Sequence, residues 1–217
     1  MQDGLSALAD DLKPRLRGQL HAVMVPVALV AGVVQVVFAP TTAGKVGSAV
    51  FCLGAVLLFT VSACYHTRTW SDRTRVLLKR WDHANIFVLI ACSYTPFALL
   101  LLSPDSARTL LVVVWTGALL GAGFQIFWVH APRWLYVPIY VGLGWAAVFW
   151  AGEFADAGEP VALTLIVLGG VLYTVGAVVY GVKRPNPAPE WFGFHEVFHT
   201  MTIAAYAAHY VGVWLVF

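Results

Sequence analysis

The sequence predicts an all-α fold: a polytopic membrane protein, a seven-transmembrane-helix bundle with a cytoplasmic N-terminus and its C-terminus outside. Three observations carry this. First, 60% of the 217 residues are hydrophobic and only 11% are charged, with a mean hydropathy of +0.78, whereas a soluble domain is roughly 25% charged. Second, the apolar residues run in blocks of about 20, long enough to cross a hydrocarbon core at 1.5 Å per residue. They do not alternate or form 3.6-residue stripes. Third, lysine and arginine collect in every second connecting segment, the bias that sets orientation in a membrane.

Residues 1–19 are polar and mixed. Leu5, Leu8, Leu12 and Leu16 recur at helical spacing beside Lys13, Arg15 and Arg17, the pattern of a short amphipathic helix on the inner leaflet. The apolar block that follows is long enough to span, which argues against a cleaved signal peptide. The first span is expected near 20–39 and is closed by Pro40-Thr41-Thr42. The second, 46–67, runs into a charged stretch from Arg68 to Asp82. The third, 83–102, stops at Ser103-Pro104-Asp105, and the fourth, 108–129, at His130-Ala131-Pro132-Arg133. The fifth, 134–152, precedes the stretch Glu153 to Pro160. The sixth, 160–182, contains Gly169, Gly170 and Gly176, which allow close helix packing. Pro185, Pro187 and Pro189 then separate it from the seventh, 193–216. Proline and short polar clusters end helices because the ring removes a donor and disfavours continuation. Residues 20–217 thus form one integral domain without internal repeats.

Eleven of the 13 basic residues fall on the side of the N-terminus, leaving only Lys45 and Arg108 opposite. That side is therefore assigned to the cytoplasm of a cell-membrane protein. Cys52, Cys64 and Cys92 lie inside apolar blocks. Their odd number argues against a disulfide framework, so they are read as small buried side chains. Trp70, Trp81, Trp134, Trp150, Trp191 and Trp214 fall near span ends, where indoles suit the headgroup region. The expected partners are membrane lipids, with no nucleic acid.

The chemistry concentrates in a few polar residues. His195 and His199 are i and i+4 on the seventh helix, so their imidazoles project from one face and can share a metal ion. Polar residues within spans are rare and usually functional. His66 ends the second span on the same side of the membrane at which the seventh begins. Ser62 lies one turn deeper on the same face, and Asp82 is expected to open the third span at that end too. Three helices therefore deliver Ser62, His66, Asp82, His195 and His199 to one level. His209 lies ten residues past His199, about 15 Å along the helix, too far to share the ion. His21 and His130, at span ends, are expected at the interface, and His83 points about 100° away from Asp82.

Ser62-x-x-x-His66, Asp82-His83-Ala84-Asn85-Ile86, Ser93-Tyr94-Thr95-Pro96-Phe97 and His195-Glu196-x-x-His199, in that order, resemble the signature of the hemolysin III family. That family is grouped with the progestin and adipoQ receptors and, more distantly, the alkaline ceramidases, in a superfamily of membrane-embedded hydrolases. The resemblance implies a seven-helix fold, Zn2+ on the three histidines, and Asp82 and Ser62 beside the water to be activated. One departure is Phe194, where many bacterial members carry serine.

Three imidazoles leave the fourth tetrahedral position of zinc open, as in catalytic sites. Asp82 is the expected base and Ser62 a donor to the water or to an oxyanion. Glu196, the base of soluble H-E-x-x-H enzymes, is expected to face a neighbouring helix or the interface. The leading function is a zinc-dependent hydrolase of a lipid amide or ester, serving membrane-lipid homeostasis. The rivals are a non-catalytic zinc-containing lipid sensor and a cytolytic protein, the latter predicting dose-dependent leakage of liposomes. An intramembrane zinc protease is disfavoured, since no Asp or Glu follows His199 as a further ligand.

Overall fold

The computed structural model describes residues 14–157 and 159–217. Leu5, Leu8, Leu12 and Lys13 of the expected amphipathic helix lie outside the described residues. The helices are α1 (Gln19–Phe38), α2 (Thr42–Thr67), α3 (Asp72–Leu101), α4 (Pro104–Phe127), α5 (Arg133–Gly144), α6 (Ala151–Asp156), α7 (Pro160–Val182) and α8 (Phe194–Leu215), with a 3-10 segment, Ala146–Trp150, between α5 and α6. Among the described residues there is no β-strand, only an isolated bridge between Ala188 and Phe192. The fold is the polytopic all-α bundle that the hydropathy blocks predict.

Six crossings are long and apolar enough to span a membrane: α1, α2, α3, α4, α7 and the composite Arg133–Asp156. The seventh, α8, is 22 residues long, or about 33 Å, but His195, Glu196, His199 and His209 lower its hydropathy. Its polar face turns inward. Large apolar side chains cover the outside of the bundle instead, with Val30 63%, Leu120 71% and Phe149 84% exposed. An exterior this apolar suits lipid.

Sequential helices pack as neighbours from α1 to α4. α7 pairs with α8, α5 leans on α7, and α8 returns against α1 and α3 to close the ring. One core cluster joins Phe87, Leu110 and Val114, and a second joins Phe51, Phe59 and Tyr206.

Boundaries differ where side chains cap helices. Ser71 accepts from the Thr74 amide at 3.4 Å, so α3 starts at Asp72, ten residues before the expected start at Asp82. Hydropathy reports what lipid tolerates, and Arg73, Arg75, Lys79 and Arg80 are good helix formers all the same. Thirty residues, about 45 Å, exceed the hydrocarbon thickness, so α3 projects beyond it. Asp82 therefore lies inside the helix, nearly three turns from its start.

The fifth crossing is broken at Trp145, which its apolar sequence did not reveal. Groups freed inside lipid need partners, and Tyr94 supplies them. Its hydroxyl donates to Gly144 O at 2.6 Å and accepts from Ala147 N at 3.1 Å. Cys64 also departs from expectation: it is exposed on α2, while Cys52 and Cys92 are buried. Of the four glycines on α7, Gly169 lies against His209 and Gly176 against Met201, whereas Gly170 and Gly181 meet only ordinary contacts.

At Gly47 the backbones of α2 and α3 approach closely. A Cβ on Gly47 would lie 2.6 Å from Pro96 Cα, which is backbone and must shift. Gly47→Ala is expected to destabilise the bundle by about 1–3 kcal/mol. Gly123→Ala, whose Cβ meets nothing within 4 Å, should stabilise it by up to about 1 kcal/mol through helix propensity. Thermal unfolding in detergent checks the pair; equal shifts for both would refute the close packing.

Candidate metal centre

α2 ends with His66 at its last turn, α8 begins with His195 and His199 in its first two turns, and the chain entering α1 passes over both. Ligand nitrogens of His66, His195 and His199 all lie within 4.8 Å of one another. His66 Nε2 and His195 Nε2 are 3.1 Å apart. The His66, His195 and His199 ring centroids form a triangle with sides of 4.6, 5.4 and 4.5 Å. Three residues from two helices thus meet as the topology requires.

These residues fit a bound cation on local grounds. Tetrahedral zinc with nitrogen ligands at 2.0–2.1 Å separates pairs of nitrogens by about 3.4 Å, close to the observed His66–His195 spacing. Buried His199 Nδ1 has no hydrogen-bond partner among the described residues, and leaving a buried nitrogen unpaired costs about 1–3 kcal/mol. An anion is also at hand: Asp82 Oδ2 lies 3.6 Å from His66 Nε2. Ser62, 2% exposed, sits one turn from His66.

Glu196 does something different from its counterpart in soluble H-E-x-x-H enzymes. It is fully buried, and its two oxygens are committed elsewhere. Oε1 accepts from Arg17 Nε at 2.6 Å, and Oε2 accepts from Gly193 N at 2.8 Å, which caps α8. His83 is likewise held apart: its Nδ1 is 2.8 Å from Lys79 O and its Nε2 is 3.0 Å from the Tyr180 hydroxyl. His209 meets Ile166 O at 3.2 Å, as a core histidine. His130 is exposed. At position 194, Phe194 packs towards Tyr180 at 6.4 Å between centroids.

His21 corrects the expectation of an interfacial side chain. It is 2% exposed and stacks on His199, with centroids 3.7 Å apart and planes at 15°. Neither of its ring nitrogens has a hydrogen-bond partner among the described residues. It lies at the start of α1, and nothing in the local sequence shows that this turn packs beneath α8.

A cavity of about 200 Å³ leads away from the cluster. Ser62, Asp82, His195 and His199 line one end, and Phe97 and Leu163 lie farther along it. Val148 and Val167 also line it while remaining 58% and 46% exposed, so it reaches the lipid-facing surface between the broken fifth crossing and α7. The arrangement can seat an apolar chain with its polar end at the histidines.

Comparison with known proteins agrees with this architecture. A family model described as "Haemolysin-III related" matches residues 11–210. The chain is 33% identical over 178 residues to a protein of Bacillus subtilis (strain 168) named "Hemolysin-3 homolog", covering 80% of this chain and 83% of the relative. It is 30% identical over 140 residues to "Hemolysin-3" of Bacillus cereus, covering 64% of each. A plant protein, "Heptahelical transmembrane protein 5" of Arabidopsis thaliana, is 27% identical over 184 residues, covering 76% of this chain and 46% of that one.

Proposed function

The chain belongs to the haemolysin-III related family of multi-pass membrane proteins, and from that premise we propose that it is a zinc-dependent hydrolase of a lipid amide or ester. The observation that carries the reading is the meeting of three imidazoles within 4.8 Å at one end of an apolar cavity, with a carboxylate 3.6 Å from one of them. We place the protein in the cell membrane with this end at the cytoplasmic face, following the basic residues. A C-terminal tag is then expected outside.

His66, His195 and His199 would hold the ion. When bound, zinc polarises a carbonyl and makes water more acidic. The remaining steps belong to the chain. The cavity seats the acyl chain and excludes bulk water. Asp82 accepts a proton as the water oxygen adds to the carbonyl carbon, and returns it to the departing nitrogen or oxygen as that bond breaks. Ser62 donates a hydrogen bond to the carbonyl oxygen as charge develops there. The products are a carboxylate and an amine or alcohol.

Purified protein with zinc is expected to release fatty acid from ceramide or acyl-lipid vesicles, and Asp82→Ala to abolish the release. Intact lipids, with wild type and Asp82→Ala indistinguishable, would sink the proposal. One observation favours a second reading, a lipid sensor in which zinc is structural: α2 and α8 do not pack backbone to backbone and meet through side chains such as Phe51, Phe59 and Tyr206, so an ion shared by their histidines would tie them together. On that reading His66→Ala unfolds the bundle and Asp82→Ala changes nothing.

A further inference from the structure

Glu196 and the chain entering α1 have no part in the hydrolysis, yet they are tightly joined at the histidine cluster. Arg15 N donates to Glu190 O at 3.0 Å and Leu16 N to Trp191 O at 3.3 Å. The Arg15 guanidinium lies 4.5 Å above the Trp191 ring. Arg17 Nε meets Glu196 Oε1 at 2.6 Å, and Glu196 is fully buried. Gly18 then turns the chain with φ +83°, passing so close to α2 that a Cβ there would fall 2.7 Å from His66 Cβ. Residues 14–18 therefore cross from the start of α8 to the end of α2, over the gap between those helices in which the histidines meet.

We infer that residues 14–18 are a strap closing the water-facing end of the histidine cluster, with the Arg17–Glu196 pair as its latch. Small water-soluble species, whether water, a metal ion or a released polar headgroup, reach the cluster when this latch opens. Apolar chains use the cavity on the other side. The two routes are separated by the cluster itself. A fully buried carboxylate facing a guanidinium that keeps 19% of its side chain exposed suits a latch, because the carboxylate is not stable there without its partner. The strap is also short, and among the described residues its hold on α8 and the loop before it comes from two backbone hydrogen bonds, one stacked ring and this ion pair. The inference concerns access alone and stands whether or not the cluster binds zinc or turns over lipid.

Thiol labelling of a chelator-treated aliquot, free of metal, reads that access without involving the metal. In a Cys64→Ser background, which removes the exposed thiol, Ser62→Cys places a reporter one turn from His66. A negatively charged, membrane-impermeant methanethiosulfonate is applied to the full chain in vesicles open to both faces. Arg17→Gln should raise the labelling rate of residue 62 about tenfold or more, because it leaves a buried charge uncompensated. Gly18→Val should do the same by strain and collision with His66. Arg75→Gln, which removes an exposed basic residue outside the strap, should change it less than twofold. Buried Cys92, between α2 and α3, should stay slow throughout. Unchanged labelling of residue 62 in Arg17→Gln and Gly18→Val overturns the strap. So does equal acceleration at Cys92, which would mean general loosening. Zinc content of the same preparations tests the proposed function separately.

Discussion

On the proposed function, His66→Ala and His199→Ala are expected to lower bound zinc from about one ion per chain to near zero, because each would remove one of three proposed protein ligands. The effect should be close to all-or-none. The three nitrogens lie within 4.8 Å, and no other histidine, cysteine or acid among the described residues joins that group. Metal analysis of purified wild type beside both variants checks it. His209→Ala should keep the ion, since that ring lies about 15 Å along α8. His21→Phe should keep it too: His21 stacks on His199 but contributes no nitrogen to the cluster. Zinc absent from wild type, or retained by both alanine variants, removes the basis for the mechanism.

The second large effect separates two carboxylates. Asp82→Asn should lower kcat/KM for lipid hydrolysis by about 10²–10⁴, the usual contribution of a positioned general base, while zinc stays bound. Glu196→Gln should cost less than about tenfold in turnover and show itself mainly as a lower unfolding midpoint. The contrast follows from geometry. Asp82 has an oxygen 3.6 Å from His66 Nε2 and lines the cavity. Glu196 spends one oxygen on Arg17 and the other on the Gly193 amide, leaving neither directed at a substrate. If Glu196→Gln abolished turnover in a folded, metal-bound protein, or Asp82→Asn turned over normally, the roles would have to be exchanged.

The same contrast shows where a motif misleads. H-E-x-x-H places two histidines on one face of a helix whatever surrounds it, so the pair was legible from spacing. The glutamate's role depends on what packs against its face. Arg17, 179 positions away in the chain, is the residue that decides it. The place of the third histidine was legible for a different reason: the alternation of basic segments puts the end of the second span and the start of the seventh at one face. Helices of similar length then bring His66 to the depth of His195 and His199.

Other features lay beyond any reading of local pattern. The start of α3 is set by the Ser71 cap, while its charged first turns read as a loop because hydropathy measures transfer to lipid and not helix formation. The break at Trp145 is sustained by the Tyr94 hydroxyl, a partner about 50 residues earlier, so the fifth block looked continuous.

By itself, the sequence determined that this is a bundle of membrane-crossing helices, roughly where each one lies, and that three histidines share an end of it. Burial in lipid imposes length and composition on every span separately, and so these properties can be read one segment at a time. Tertiary structure alone decided that His21 lies beneath His199, that Arg17 occupies Glu196, and that a cavity runs from Asp82 to the outer surface. Each depends on how helices distant in the chain rotate and tilt against one another. That is settled by the simultaneous packing of many side chains, and no single segment encodes it.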